Sequence, residues 1–251
     1  LPNAKIVGWA PGWYAGIPMF QFYFPLAFIL IALLSYLIPL TISFKIVTVL
    51  GTFLLPLCTF YSMRYIGFRF PMPITAATST LLFLFIESNS MWGGNIPSTL
   101  AGEFSFSLSL ALAVLFLGLI YDGVKTRRHL LKTSLLLAAI VLTHVYSLMF
   151  ALPSTLYLLA IAPKGKFKKR LKYLSTVYLL AFLLTAFWTI PLITDLAYTS
   201  HYNPAWPIRD VFKVFPLIII PSCFLSLIGV LFTVRNIDSR SGYLYFTILV
   251  S

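Results

Sequence analysis

An all-α, polytopic transmembrane bundle is the fold class this chain predicts, and three observations carry that reading. Hydrophobic residues make up 60% of the sequence and charged residues 10%, with a mean hydropathy of +0.94, whereas soluble domains are about a quarter charged. Five stretches, 20–40, 44–63, 99–121, 173–194 and 211–234, are apolar over roughly the 20 residues that a bilayer crossing takes. The 18 Lys and Arg, against 6 Asp and Glu, collect at the ends of those stretches, as they do in the cytoplasmic loops of membrane proteins. We read 1–251 as a single transmembrane domain of a longer chain, since no Met opens it and Ser251 interrupts an apolar run that begins near Tyr243.

At the N-terminus, Leu1 to Gly16 reads as a loop, and the run from Gly8 to Pro25 is dense in Trp, Tyr, Phe, Gly and Pro. Such a run forms an interfacial aromatic belt, and Trp13 and Tyr14 within it are candidates for stacking on a sugar ring or a polyprenyl tail. The segment 20–40 lacks a basic leader and a small-residue cleavage site, so it is permanent structure rather than a signal sequence. Two further apolar stretches fit a simple span poorly. Residues 73–87 are short for one crossing, and 133–163 are too long for one and short for two, which predicts tilted, broken or buried helices.

Charge predicts the topology. Arg64 and Arg69; Lys125, Arg127, Arg128 and Lys132; Lys164 to Lys172; and Arg235 and Arg240 define four basic loops assigned to the cytoplasm, while Glu87, Glu103, Asp195, Asp210 and His201 fall on the outer side. Because basic loops flank 133–163, that stretch crosses an even number of times, which predicts a short or re-entrant helical hairpin turning near Thr143 to Tyr146. Parity sends 44–63 inward and 73–87 outward. It leaves 20–40 open: residues 1–18 are cytoplasmic, or 20–40 dips in and returns, or a span is miscounted.

The basic residues are not interleaved with aromatics on a soluble face, so no nucleic-acid partner is expected; the bilayer is. Cys58 and Cys223 lie in apolar runs as small hydrophobes and indicate neither a disulfide nor a metal site.

The most informative stretch is Trp92 to Phe104, WGGNIPSTLAGEF. Asn95 is a helix cap with Pro97 in the first turn. The exposed amides and helix dipole there favour an anion, which makes Trp92, Asn95, Ser98 and Thr99 candidate substrate-binding residues, against the plainer reading of an ordinary cap. Glu103 lies about one turn into the helix, with Ser107 four residues on along the same face. A carboxylate so close to hydrocarbon is a functional candidate by default, as general base or hydroxyl ligand, the alternative being a charge that stabilises the helix start. Gly102, Ser105, Ser109 and Ala113 form a small-residue stripe suited to helix packing. His144, alone among apolar residues at the hairpin apex, is a candidate phosphate ligand or proton shuttle, or else bonds a backbone carbonyl.

The segments GIPMFQFYFPLAFILIALLSYL, WGGNIPSTLAGEF, LTHVYSLMFAL and AFWTIPLI together resemble the prokaryotic membrane domains named for their relation to 6-pyruvoyl-tetrahydropterin synthase. That family looks like a branch of the GT-C glycosyltransferases, related to mycobacterial arabinofuranosyltransferases. The resemblance implies a GT-C-like, multi-pass plasma-membrane module that passes a sugar from a polyprenyl-phosphate donor to a glycan or glycolipid acceptor on the outer face. It matches Glu103 to the family's AGE(F/Y) position and His144 to its (T/S)H position, and implies a further acid in an outer loop ahead of residue 1. Some such enzymes use a divalent cation and others none. A transporter or lipid flippase, and a non-catalytic membrane subunit, are the alternatives.

Overall fold

The computed structural model describes residues 6–12, 15–88, 90–91, 93–199, 217–233 and 238–250. The chain opens with a two-stranded antiparallel ribbon, β1 (Gly8–Ala10) and β2 (Ile17–Met19), pairing Gly8 with Met19 and Ala10 with Ile17. The stretch read as loop thus carries a small ribbon. The helices that follow are α1 (Leu26–Leu34), α2 (Leu40–Ile66), α3 (Met72–Leu84), the single turn α4 (Ile96–Ser98) and, after a π-helical turn at Thr99–Glu103, α5 (Phe104–Thr126). Then come α6 (Leu130–Thr143), α7 (Leu148–Ala160), α8 (Phe167–Thr194), α9 (Ile220–Thr233) and α10 (Ser239–Val250). This is a helical membrane protein.

Three helical runs are long and apolar enough to span: Leu40–Ile66, Ile96–Thr126 and Phe167–Thr194. The middle one is the hub, with 72% of its apolar window buried inside the bundle against 28% and 22% for the others. Hydrocarbon gives little drive for helices to associate, so close backbone approach and packing must supply it. α2 and α5 achieve this with two glycines. A Cβ on Gly51 would lie 2.5 Å from Leu108 N, and one on Gly118 would lie 2.5 Å from Ser62 Cα. The pairings 51 with 107–108 and 62 with 118 both ascend, so α2 and α5 run parallel, and α3 packs on α2. On the other face of α5, Ser109 donates its hydroxyl to His144 O at 2.8 Å, which draws in the end of α6. The expected small-residue stripe is buried here, with Ser105, Ser109 and Ala113 at most 1% exposed.

The apolar stretch 20–40 is not a span. α1 has nine residues, about 13 Å at 1.5 Å per residue, far short of the roughly 30 Å of a bilayer core. Pro39, extended at φ −51 and ψ 139, breaks the chain and caps α2, which starts four residues before the predicted boundary. Of the readings left open for this segment, a full crossing by this helix is the one that its length excludes. Ala27 and Ile31 of α1 pack with Val47 and Phe104, near the starts of α2 and α5.

The stretch 133–163 breaks where expected. His144 is extended, at φ −171 and ψ 121, between α6 and α7. α6 lies along α5 and α8, whereas α7 lies along α5 and α10, so the two arms of the hairpin splay rather than pack together. Predicted span 211–234 falls partly outside the described residues; from Leu217 on it is a short helical turn and α9.

Hydrogen bonds gather the basic loops at one end of the bundle. Tyr173 Oη donates to Arg128 O at 2.8 Å, Arg170 Nη1 donates to Leu158 O, and Arg240 Nη1 donates to Gly67 O at 3.2 Å. Glu103, His144 and Asp195 lie at the opposite end.

Asp238 caps α10. Its Oδ1 accepts the Ser241 N–H at 2.8 Å and its Oδ2 accepts Arg240 Nε at 2.6 Å. The Ser241 amide chiefly, helped by Arg240, holds the carboxyl down at about 2. A native pKa below the unfolded value of about 3.9 gives stability that is present above pH ~4 and lost as pH falls toward 2. Asp238→Ala is therefore expected to cost about 1 kcal/mol at pH 7 and progressively less in acid, read by thermal unfolding in detergent. By the same measurement Gly118→Val is expected to cost at least ~1–3 kcal/mol by overpacking. Gly229→Ala, whose Cβ would meet nothing within 4 Å, leaves Tm unchanged or higher; equal Tm for both variants would contradict the close α2–α5 contact.

Candidate functional site

The loop before α5 is held by its own polar groups. Asn95 Oδ1 accepts the Ser98 N–H at 3.2 Å, closing α4 as the cap predicted from sequence, while Asn95 Nδ2 donates to Ile86 O at 2.6 Å and ties the loop to the end of α3. Thr99 Oγ1 donates to Asn95 O at 2.7 Å and lies 2.6 Å from Ser107 Oγ, which accepts the Gly94 N–H at 3.2 Å. Asn95, Ser98 and Thr99 are at most 3% exposed. Their polar side chains face inward to one another and to α5, so a ligand at the bundle surface meets this knot through what it supports. Gly93 and Gly94, at φ 83 and 90, supply the left-handed turns the knot requires. Trp92, Trp13 and Tyr14 lie outside the described residues, as does the region from His201 to Asp210.

Glu103 closes the turn that begins at Thr99. Gly102 at φ 128 kinks the backbone between α4 and α5 and re-aims the chain, a left-handed conformation that favours glycine. Glu103 is half-buried at the start of α5, and its carboxylate makes no hydrogen bond to another described residue. Tyr23 is its neighbour: the phenol is pushed above its ordinary pKa first by burial and then by the Glu103 charge.

His144 is 8% exposed, and its Nδ1 has no hydrogen-bond partner among the described residues. Aromatic rings enclose the imidazole, with centroids at 4.7 Å for Phe24, 4.9 Å for Tyr146 and 5.2 Å for Phe106. The Tyr23 and Phe24 rings are 5.9 Å apart, so two adjacent residues of the N-terminal segment connect Glu103 to His144. Both sequence candidates therefore lie at one end of the bundle. Phe106, three residues beyond Glu103 on one face of α5, was open to recognition by helical spacing. Phe24 was not, being one of many aromatics in its run.

The N-terminal segment is strapped over this end. Trp188 Nε1 donates to Phe20 O at 2.8 Å and Gln21 Nε2 donates to Asp195 Oδ2 at 2.9 Å. Trp188 is 3% exposed and structural, whereas Tyr198, at 84% exposure, lies at the surface. Beneath the strap, the splay of α6 and α7 against α8 leaves a half-open apolar cavity of about 300 Å³. Phe24, Leu137, Val145, Leu152, Phe182 and Trp188 line it, and the buried Thr189 hydroxyl there has no partner among the described residues. One ring, Phe24, walls both the cavity and the His144 cage. No group of three His, Cys, Asp or Glu that could hold a metal ion occurs among the described residues.

Comparison with known proteins gives one family. Residues 20–248 match the model of the 6-pyruvoyl-tetrahydropterin synthase related domain, a membrane protein family, and the chain belongs to it. No curated protein and no solved structure matches.

If the Asn95 knot holds the loop, Asn95→Ala leaves a buried carbonyl and a buried amide unpartnered and is expected to cost about 2–4 kcal/mol, read as a lower Tm and faster proteolysis within residues 85–95. Asn95→Asp keeps the cap and loses the donor to Ile86, so its effect falls between those of wild type and Asn95→Ala.

Proposed function

We propose that this membrane domain is a glycosyltransferase module that moves a sugar from a polyprenyl-phosphate donor to a hydroxyl of a glycan or glycolipid acceptor. The observation supporting it most is the buried imidazole of His144, with Nδ1 unpartnered, next to an apolar cavity and at the same end as Glu103. An unsatisfied buried polar atom costs about 1–3 kcal/mol, a cost that a ligand's phosphate or hydroxyl would remove. The cavity offers room for the first part of a hydrocarbon tail, and Phe24 stands between tail and head.

In this reading the acceptor oxygen forms a bond to the anomeric carbon as the bond from that carbon to the phosphate oxygen breaks. Glu103 takes the hydroxyl proton. His144 bonds the departing phosphate, where added charge most needs donors. Asn95, Ser98 and Thr99 keep the start of α5 in place, and Trp92, Trp13 and Tyr14 contact the sugar or the lipid. The active end then faces away from the cytoplasm and the basic end toward it, in the plasma membrane.

Sugar transfer from a polyprenyl-phosphate donor by the full-length protein tests this. Glu103→Gln and His144→Ala are each expected to lower turnover by about 10²–10⁴-fold while leaving Tm within a few degrees. Unchanged transfer and donor binding in both variants would refute the site. Substrate-dependent flux in proteoliposomes with no glycosylated product would instead establish a transporter.

A further inference from the structure

The basic end carries more charge than packing or topology uses. Lys164, Lys166, Lys168, Lys169 and Lys172 are exposed around the start of α8, and Lys125, Arg127, Arg128 and Lys132 are exposed around the loop between α5 and α6. Two hydrogen bonds merge these groups into one face. Tyr173 of α8 holds Arg128 O at 2.8 Å, and Arg170, 8% exposed, holds the end of α7 through Leu158 O. Arg170 is thus structural, whereas its lysine neighbours are free to meet something outside the protein.

Carboxylates do not answer this charge. Among the described residues, the acids at this end are Asp122, 3.5 Å from His129, and Asp238, paired with Arg240; neither forms an ion pair with the cations just named. The lysines also crowd the positive end of the α8 dipole, and no acid occupies its first turn, an arrangement that repels itself unless an anion arrives. Apolar side chains share the face. Phe167 and Leu171, four residues apart on one side of α8, are 50% and 42% exposed, and Leu131 beside Lys132 is 63% exposed.

We infer that this face is a docking surface for anionic phospholipid headgroups of the adjoining leaflet, with the lysines on the phosphates and Phe167, Leu171 and Leu131 in the acyl boundary. Lysine clusters alone would suit any polyanion. Exposed apolar residues at i and i+4 among them suit a surface with hydrocarbon directly beneath its charge, which a bilayer has and a nucleic acid lacks. The inference is independent of the catalytic reading, because it concerns the opposite end of the bundle.

The test is lipid retention by the full chain in neutral detergent, counted by native mass spectrometry, with phosphatidylglycerol against phosphatidylcholine. Wild type is expected to retain phosphatidylglycerol preferentially, less so at high salt. Changing Lys164, Lys166, Lys168 and Lys169 together to Gln is expected to lower that retention at least about tenfold, since each cation near an anionic surface contributes roughly a factor of five. Phosphatidylcholine retention should not change. Lys45→Gln, an exposed lysine at the other end, should leave both unchanged. Phe167→Ser with Leu171→Ser should weaken phosphatidylglycerol retention while charge is constant. Equal retention of the two lipids by wild type, or no loss in the four-lysine variant, would overturn the inference. So would equally effective displacement by inorganic phosphate, marking a free-phosphate site, or preference for a single-stranded oligonucleotide.

Discussion

The parallel contact of α2 with α5 at Gly51 and Gly118 is the constraint on which the other elements depend. Two backbones meet where a single added carbon would lie 2.5 Å from a neighbouring main chain. In hydrocarbon that proximity matters more than apolarity, because a lipid tail is as apolar as a leucine. With α5 fixed, its opposite face is left to receive α6 through Ser109 and α7 alongside. The most buried helix therefore sets both the depth of His144 and the direction in which the π-turn delivers Glu103.

The two ends of the bundle are built by different chemistry. At the acidic end, aromatic rings, a polar knot and an indole-to-carbonyl bond make a compact cap with one imidazole nitrogen unanswered. At the basic end, two buried polar side chains, Tyr173 and Arg170, tie the start of α8 to the loop between α5 and α6 and to the end of α7 and leave the lysines outside. An apolar chain with only 10% charged residues thus places most of its charge where it can act on something other than itself.

Much of this was legible in the sequence, and the reasons are physical. Spans were visible because transfer into hydrocarbon is summed along the chain. The break at His144 was visible because charge on both sides of 133–163 demanded an even number of crossings. Asn95 was readable as a cap from its position before Ile-Pro. Hydropathy failed at 20–40, since an apolar segment folded across one end of a bundle scores like one that crosses it, and Pro39 alone signals the difference. Nor does any local pattern encode the pairing of the Trp188 indole with Phe20 O across 168 residues of sequence. Ser98 and Thr99 are buried, which their position at a helix start did not reveal, because capping and binding draw on the same donors. The cavity had no local signature at all: it exists because α6 and α7 diverge, and that divergence is decided by which neighbour each one packs on.

The Phe24 ring has a consequence of its own. It separates the imidazole of His144 from the apolar hollow beneath the strap, so the two spaces have a common partition. The ring lines the hollow on one side and lies 4.7 Å from the imidazole on the other. A change of rotamer in that one side chain would therefore reshape both spaces at once.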